Sequence, residues 1–214
     1  MNIFFDFDGT LADPVDRHYA VYAAVMKEMD GTPLSKHEYW ARKRSKIGWD
    51  VLLPESGVEI ARKAEFLGKF IQLIEDRTYL EIDELLPGAY VTLEALSKHN
   101  ECYLVSLRRN NDNLLYQLEH LGIQGFFKDI LSGHSEADGE DVKSEIIEAR
   151  VSGYDLVVGD TEADVRAAQL LHIPVAAVTT GIRDYDYLAA LQPDYILSSV
   201  GELPEIVTSL NPRY

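Results

Sequence analysis

Short β-forming runs recur along the chain with a helical pattern between them, and this alternation constrains the fold more than any other feature. Strands joined through helices form a parallel sheet covered by helices. Residues 2–7, 101–106, 129–132, 155–159, 174–179 and 195–197 are predicted strands. Residues 88–99, 110–121, 142–151, 163–171 and 203–210 carry apolar side chains at three and four spacing and are predicted helices. The fold class that follows is α/β, a doubly wound, Rossmann-like parallel sheet. One stretch departs from it. Residues 16–85 offer no good strand, only helical patterns over 17–29, 36–46 and 59–76, with a loop over 47–57. This reads as an inserted all-helical cap domain over 14–83, set into a core of 1–13 and 84–214. Proline and glycine mark the hinges near 13–14 and 83–88.

Composition narrows the function. With 214 residues the chain can bury one full core plus a small insertion. A formal charge of −16 argues against a nucleic-acid partner, because phosphate-backbone binding relies on a basic surface. Cys102 is the single cysteine, so no intrachain disulfide forms and a reducing, cytoplasmic setting is expected. No window approaches the roughly 20 apolar residues of a membrane span, so no membrane partner is expected. The sequence assigns no oligomeric state.

The chemistry-bearing residues gather on this frame. Asp6 and Asp8 stand at the end of the first run, in IFFDFDGTLAD, where like charges and lost hydration make proximity costly without a cation. Ser106 ends the second core strand, Asp160 follows the apolar run LVVG, and Asp164 falls in the first turn of the next helix. Lys143 opens the helix before the Asp160 strand. In an open parallel sheet the carboxyl ends of neighbouring strands share one crevice. Carboxylates for a hard cation, with a hydroxyl and an ammonium for anionic oxygens, describe a phosphoryl-transfer pocket. Each has a structural reading too: Asp160 and Asp164 suit a helix N-terminus, Ser106 a cap, Lys143 a solvated helix face.

In order and location, Asp6-Phe7-Asp8-Gly9-Thr10-Leu11, Ser106, Lys143 and Gly159-Asp160-Thr161-Glu162-Ala163-Asp164 resemble the four motifs of the haloacid dehalogenase superfamily. The insertion resembles that superfamily's C1-capped branch, which includes phosphoglycolate phosphatases and β-phosphoglucomutases, and the resemblance covers essentially the whole chain. It implies a Mg²⁺-dependent phosphatase acting on a small phosphate ester of an organic metabolite. Asp6 would be nucleophile and Asp8 the acid and base. Asp6, the Asp8 backbone carbonyl and Asp160 would hold Mg²⁺, with Asp164 binding directly or through water. Ser106 and Lys143 would hold the phosphate. Two positions depart from the family pattern, Leu107 where Asn is commoner and Ser144 where Pro is. A β-phosphoglucomutase-like phosphotransferase and a non-enzymatic phosphoacceptor or binding module are the alternatives. His18 stands where many mutases carry a histidine, and it either steadies Asp8 or serves only the hinge helix. The mutase Lys and Arg around the cap-loop glycine are replaced in Ile47-Gly48-Trp49-Asp50-Val51. Ile47 and Gly48 instead resemble a phosphatase specificity loop. Arg42, Lys43, Arg44, Lys46, Arg108 and Arg109 are either steering charges for a second anionic group or solvated side chains. Tyr39, Trp40 and Trp49 line a substrate chamber or, more in keeping with their spacing, fill the core of the insertion.

Overall fold

The structure, a computed structural model, describes residues 1–133 and 139–210. In chain order, β1 (Asn2–Phe5) and the two-residue β2 (Ala12–Asp13) lead into α1 (Val15–Glu28), α2 (Lys36–Arg44), α3 (Trp49–Glu55), α4 (Lys63–Ile74) and α5 (Arg77–Leu80). Then come β3 (Glu84–Leu85), α6 (Ala89–Leu96), β4 (Glu101–Ser106), α7 (Asn111–His120), β5 (Asp129–Ser132) and α8 (Gly139–Glu148). The chain continues through β6 (Asp155–Gly159), α9 (Glu162–Leu170), β7 (Val175–Val178), α10 (Tyr185–Ala190), β8 (Tyr195–Leu197) and α11 (Leu203–Leu210). Two compact units result, one of Met1–Asp13 with Leu85–Tyr214 and one of Pro14–Glu84.

The larger unit holds a six-stranded sheet in the order β5-β4-β1-β6-β7-β8, and β2 and β3 form a two-stranded sheet of their own. β1 lies between two parallel neighbours, with Phe5 opposite Leu104 on one side and Val158 on the other. All four residues of β1 are buried, so it reads as a continuous apolar run, as a strand covered on both faces must. Successive side chains serve opposite faces. Ile3 and Phe5 join Leu93, Leu114, Leu118 and Val207 in one core, whereas Phe4 joins Tyr103, Ile147, Val165 and Ala168 in the other. Each fully buried Phe contributes about 1.5–3 kcal/mol. Strand order reverses at β1, because the chain runs to β4 and β5 on one side and then returns to β6 on the other. A doubly wound sheet opens its binding crevice at such a reversal, beyond the carboxyl ends of the strands.

The smaller unit is helical and has its own core, in which Val21, Tyr22, Val25, Tyr39, Leu53, Phe66 and Phe70 are buried together. Tyr22 and Tyr39 stack with ring centres 4.3 Å apart. Trp40 and Trp49 pack against this cluster, so the aromatics of the insertion act as core. A buried ion pair, Arg17 Nε to Asp83 Oδ2 at 2.9 Å, joins the start of the insertion to its end. The Arg17 guanidinium also donates to the Ile74 carbonyl.

The predicted strands all form, those at 101–106, 129–132, 155–159 and 195–197 with the expected bounds, while β1 and β7 are shorter than predicted. β1 stops at Phe5 rather than residue 7, because the chain turns there: the Gly9 amide donates to the Ala12 carbonyl, and Gly9 takes φ +82°. Residues 47–57 are not a loop but contain α3, begun at Gly48 and buried through Leu52 and Leu53. Pro54 sits near its end. The 59–76 helix starts as a 3₁₀ turn at Ile60–Arg62 before α4. α8 begins at Gly139, so Lys143 lies a full turn inside the helix rather than opening it.

Candidate active site

Within the larger unit, the turn after β1, the end of β4, α8 and the β6–α9 junction deliver their polar side chains to one place. Asp6 follows β1, and its amide still donates to the Val158 carbonyl at 2.8 Å, so the neighbouring strand sets its position. Asp160 follows β6 directly. Asp164 is the third residue of α9, and the helix start holds it there: the Thr161 amide and hydroxyl both donate to its Oδ2, at 3.1 and 2.7 Å. Carboxylate oxygens of Asp6, Asp160 and Asp164 all lie within 4.8 Å of one another.

Lys143 reaches into this group from α8. Its Nζ donates to Asp6 Oδ1 at 2.6 Å and to Asp164 Oδ1 at 2.5 Å, with only 4% of its side chain exposed. Burial alone would lower the ammonium's pKa, but Asp164 and Asp6 outweigh it and hold the value above the ordinary lysine range. Burial raises Asp6 to about 7, against the attraction of Lys143 and with the help of Asp164. Asp160 is likewise pushed well up, first by burial and then by Asp6 and Asp164, while the Ile182 amide opposes the rise. Three carboxylates share the Lys143 ammonium, which bonds two of them, so the group carries excess negative charge when ionised. An all-oxygen donor set with that residual charge fits a hard divalent cation, whose octahedral ligands stand up to about 4 Å apart. The donor set therefore suits Mg²⁺.

Missing side chains let the backbone close around the acids. A Cβ at Gly159 would lie 2.0 Å from Asp164 Cγ, one at Gly9 2.5 Å from Asp160 Oδ2, and one at Gly181 1.9 Å from the same oxygen. The loop after β7 thus presses on Asp160. There the Ile182 amide donates to Asp160 Oδ2 at 2.6 Å, and the Thr180 hydroxyl donates to the Gly9 carbonyl at 2.7 Å. Thr10, fully buried, donates to Asp160 Oδ1 at 3.3 Å. Sequence reasoning missed this loop. Its signal was the Thr179-Thr180-Gly181 run at the end of a buried strand.

Asp8 points to a different partner. Arg108 Nε and Nη2 donate to its two carboxylate oxygens, each at 2.7 Å, so the arginine read as a steering charge is spent on a carboxylate of the same unit. Ser106 is buried at the end of β4, beside the turn after β1, and its Oγ accepts from the Arg108 amide at 3.3 Å. The remaining candidates belong to the smaller unit. Ile47 is partly exposed, Gly48 begins α3, and Arg42 is paired with Glu55 through two hydrogen bonds. The Lys43 ammonium lies 5.3 Å from the Trp49 ring centre. His18 packs its ring 6.0 Å from those of Trp40 and Phe70.

A doubly wound sheet with a hydroxyl and clustered aspartates at its strand ends, and a lysine from a flanking helix, is an arrangement suited to phosphoryl transfer. The model of the haloacid dehalogenase-like hydrolase family matches residues 3–178, and the chain belongs to that family. A protein named phosphoglycolate phosphatase from Synechococcus elongatus is 26% identical over 212 residues, 97% of each chain. One named pyrophosphatase PpaX from Oceanobacillus iheyensis is also 26% identical, over 96% of this chain and 95% of its own. Among solved structures, a haloacid dehalogenase-like hydrolase from Streptococcus pneumoniae superposes with a TM-score of 0.75 at 23% identity, over 96% of this chain and 97% of its own. A haloacid dehalogenase-like protein from Agrobacterium tumefaciens gives 0.76 at 20% identity over 98% of each. These two share the fold. Among the described residues no helix is long and apolar enough to cross a membrane.

Proposed function

We propose that this haloacid dehalogenase-like hydrolase is a phosphoric monoester hydrolase that uses Mg²⁺ and an aspartyl-phosphate intermediate to cleave a small phosphorylated metabolite. The observation that carries the reading is the close grouping of Asp6, Asp160 and Asp164, two of which are bonded to the buried Lys143 ammonium. Asp6, Asp160 and the Asp8 backbone carbonyl would hold the metal. Asp164 would bind the metal directly or through water, and its oxygens, which also accept from Lys143 and Thr161, orient the lysine. When bound, Mg²⁺ would neutralise phosphate oxygens and keep Asp6 ionised at neutral pH.

Asp6 Oδ attacks phosphorus as the ester P–O bond breaks, and the leaving oxygen takes the proton of the Asp8 carboxylic acid. Water then attacks the aspartyl-phosphate and gives its proton to Asp8, which frees Asp6 and inorganic phosphate. Ser106 and Lys143 hold the equatorial oxygens on which charge collects in each displacement. The helical unit, with Ile47 and Gly48 at the start of α3, is the part of the chain that would contribute to substrate choice.

The names of the relatives put a two-carbon phosphorylated acid first in an assay panel, followed by pyrophosphate and sugar phosphates. Wild type should release phosphate with Mg²⁺ and stop with a chelator. Asp6→Asn should lose turnover by at least about 10³-fold with its circular dichroism unchanged. Retained turnover in Asp6→Asn removes it as nucleophile. Phosphate that moves within a hexose without appearing in solution points to a mutase.

A further inference from the structure

The Asp8 carboxylate stands further into solvent than Asp6, with 29% of its side chain exposed against 11%, yet it is held by a guanidinium that is almost wholly buried at 5%. Two parallel N–H···O bonds of 2.7 Å fix the plane of the carboxylate as well as its position. The guanidinium is itself fixed from other sides. Nη2 donates to Gln117 Oε1 at 2.9 Å, from a glutamine 1% exposed in the middle of α7. The Phe7 ring, between Asp6 and Asp8 in sequence and fully buried, lies with its centre 5.6 Å from Arg108 Cζ. The Arg108 amide, in turn, is bonded to Ser106 Oγ, which ties the clamp to the phosphate-binding turn.

We propose that Arg108 is a positioning residue: with Gln117 and Phe7 behind it, it takes one lone pair of each Asp8 oxygen, so that a proton carried on a remaining lone pair is presented to the leaving oxygen in one orientation. This rests on the phosphatase reading above. Without the fork, Asp8 would turn freely about its side-chain bonds, and an acid must lie within hydrogen-bond reach of the oxygen it serves. A lysine supplies a point charge and no plane, so it would not replace the arginine.

The test compares kcat/KM, which reports steps up to the first irreversible one, for an alkyl phosphate and for 4-nitrophenyl phosphate, whose leaving group needs little protonation. Arg108→Met and Arg108→Lys should each lose about 10–100-fold on the alkyl ester and no more than about 3-fold on the aryl ester. Gln117→Leu should shift the same ratio less. Millimolar guanidinium should restore part of the alkyl rate to Arg108→Ala. Full activity of Arg108→Lys, equal losses on both esters, or a loss confined to KM would overturn the proposal and leave the phosphatase reading standing. Wild type inactive on every ester would overturn both. Aryl ester turnover by each variant shows that it has folded.

Discussion

At the scale of single residues, the main tension is the crowding of Asp6, Asp160 and Asp164. Asp6 has its folded value raised to about 7 from 3.8, so folding without metal takes up a proton between those limits. Metal-free stability should therefore be greatest at mildly acidic pH and decline as pH rises from about 4 to about 7, by up to a few kcal/mol. Urea unfolding in a chelator at pH 5 and pH 8 measures this. Asp6→Asn should be the more stable protein at pH 8 and show the weaker pH dependence. Mg²⁺ must displace the proton, so its affinity should fall by up to about tenfold per pH unit below about 7, measurable by calorimetry. Gly181→Ala should be costly despite its small size, because the new carbon meets Asp160 Oδ2 at 1.9 Å. The loop would have to retreat with the Ile182 amide, and Mg²⁺ affinity should drop about 10–100-fold, as when other groups that orient metal ligands are lost. Asp6, Asp160, Asp164 and Lys143 could be read as one cluster from the sequence, because strand ends in a parallel sheet converge whatever the loops do. Arg108 and Gly181 could not. The arginine's partner lies 100 positions away, and the glycine's importance rests on a contact only the closed loop creates.

At the scale of elements, the insertion depends on the Arg17–Asp83 pair, whose side chains are 1% and 0% exposed. Asp83→Ala would strand a buried guanidinium and should destabilise the helical unit by about 3–5 kcal/mol, whereas Arg17→Met with Asp83→Leu together should cost far less. Denaturant titration of the three proteins gives the comparison. Long elements with sustained periodicity, such as α1 and α7, were legible to within a few residues. α3 and α10 were not, for physical reasons. α3 has seven residues with Pro54 among them, and it is held by burial of Leu52 and Leu53 against distant side chains rather than by propensity. α10 has six, too few for a periodic stripe, and begins on the Asp184 side chain, which accepts from the Tyr187 amide. α8 starts before its apolar pattern does, which is why Lys143 falls inside it.

At the scale of the whole molecule, two units with separate cores should respond separately to stress. Calorimetry should resolve two transitions, and Asp83→Ala should move only the one belonging to the helical unit. The charge of −16 adds self-repulsion, which monovalent salt should relieve in both. The position of β1 carries a further consequence, because it is flanked by residues made much later than itself: Asn2 pairs with Glu101 on one side and Asp155 on the other. During synthesis that segment emerges long before either neighbour, whereas the helices of the insertion need only one another. The nascent chain should therefore carry β1 and the Asp6–Asp8 turn as an unpaired, strongly apolar ribbon, in need of shelter until β6 has left the ribosome.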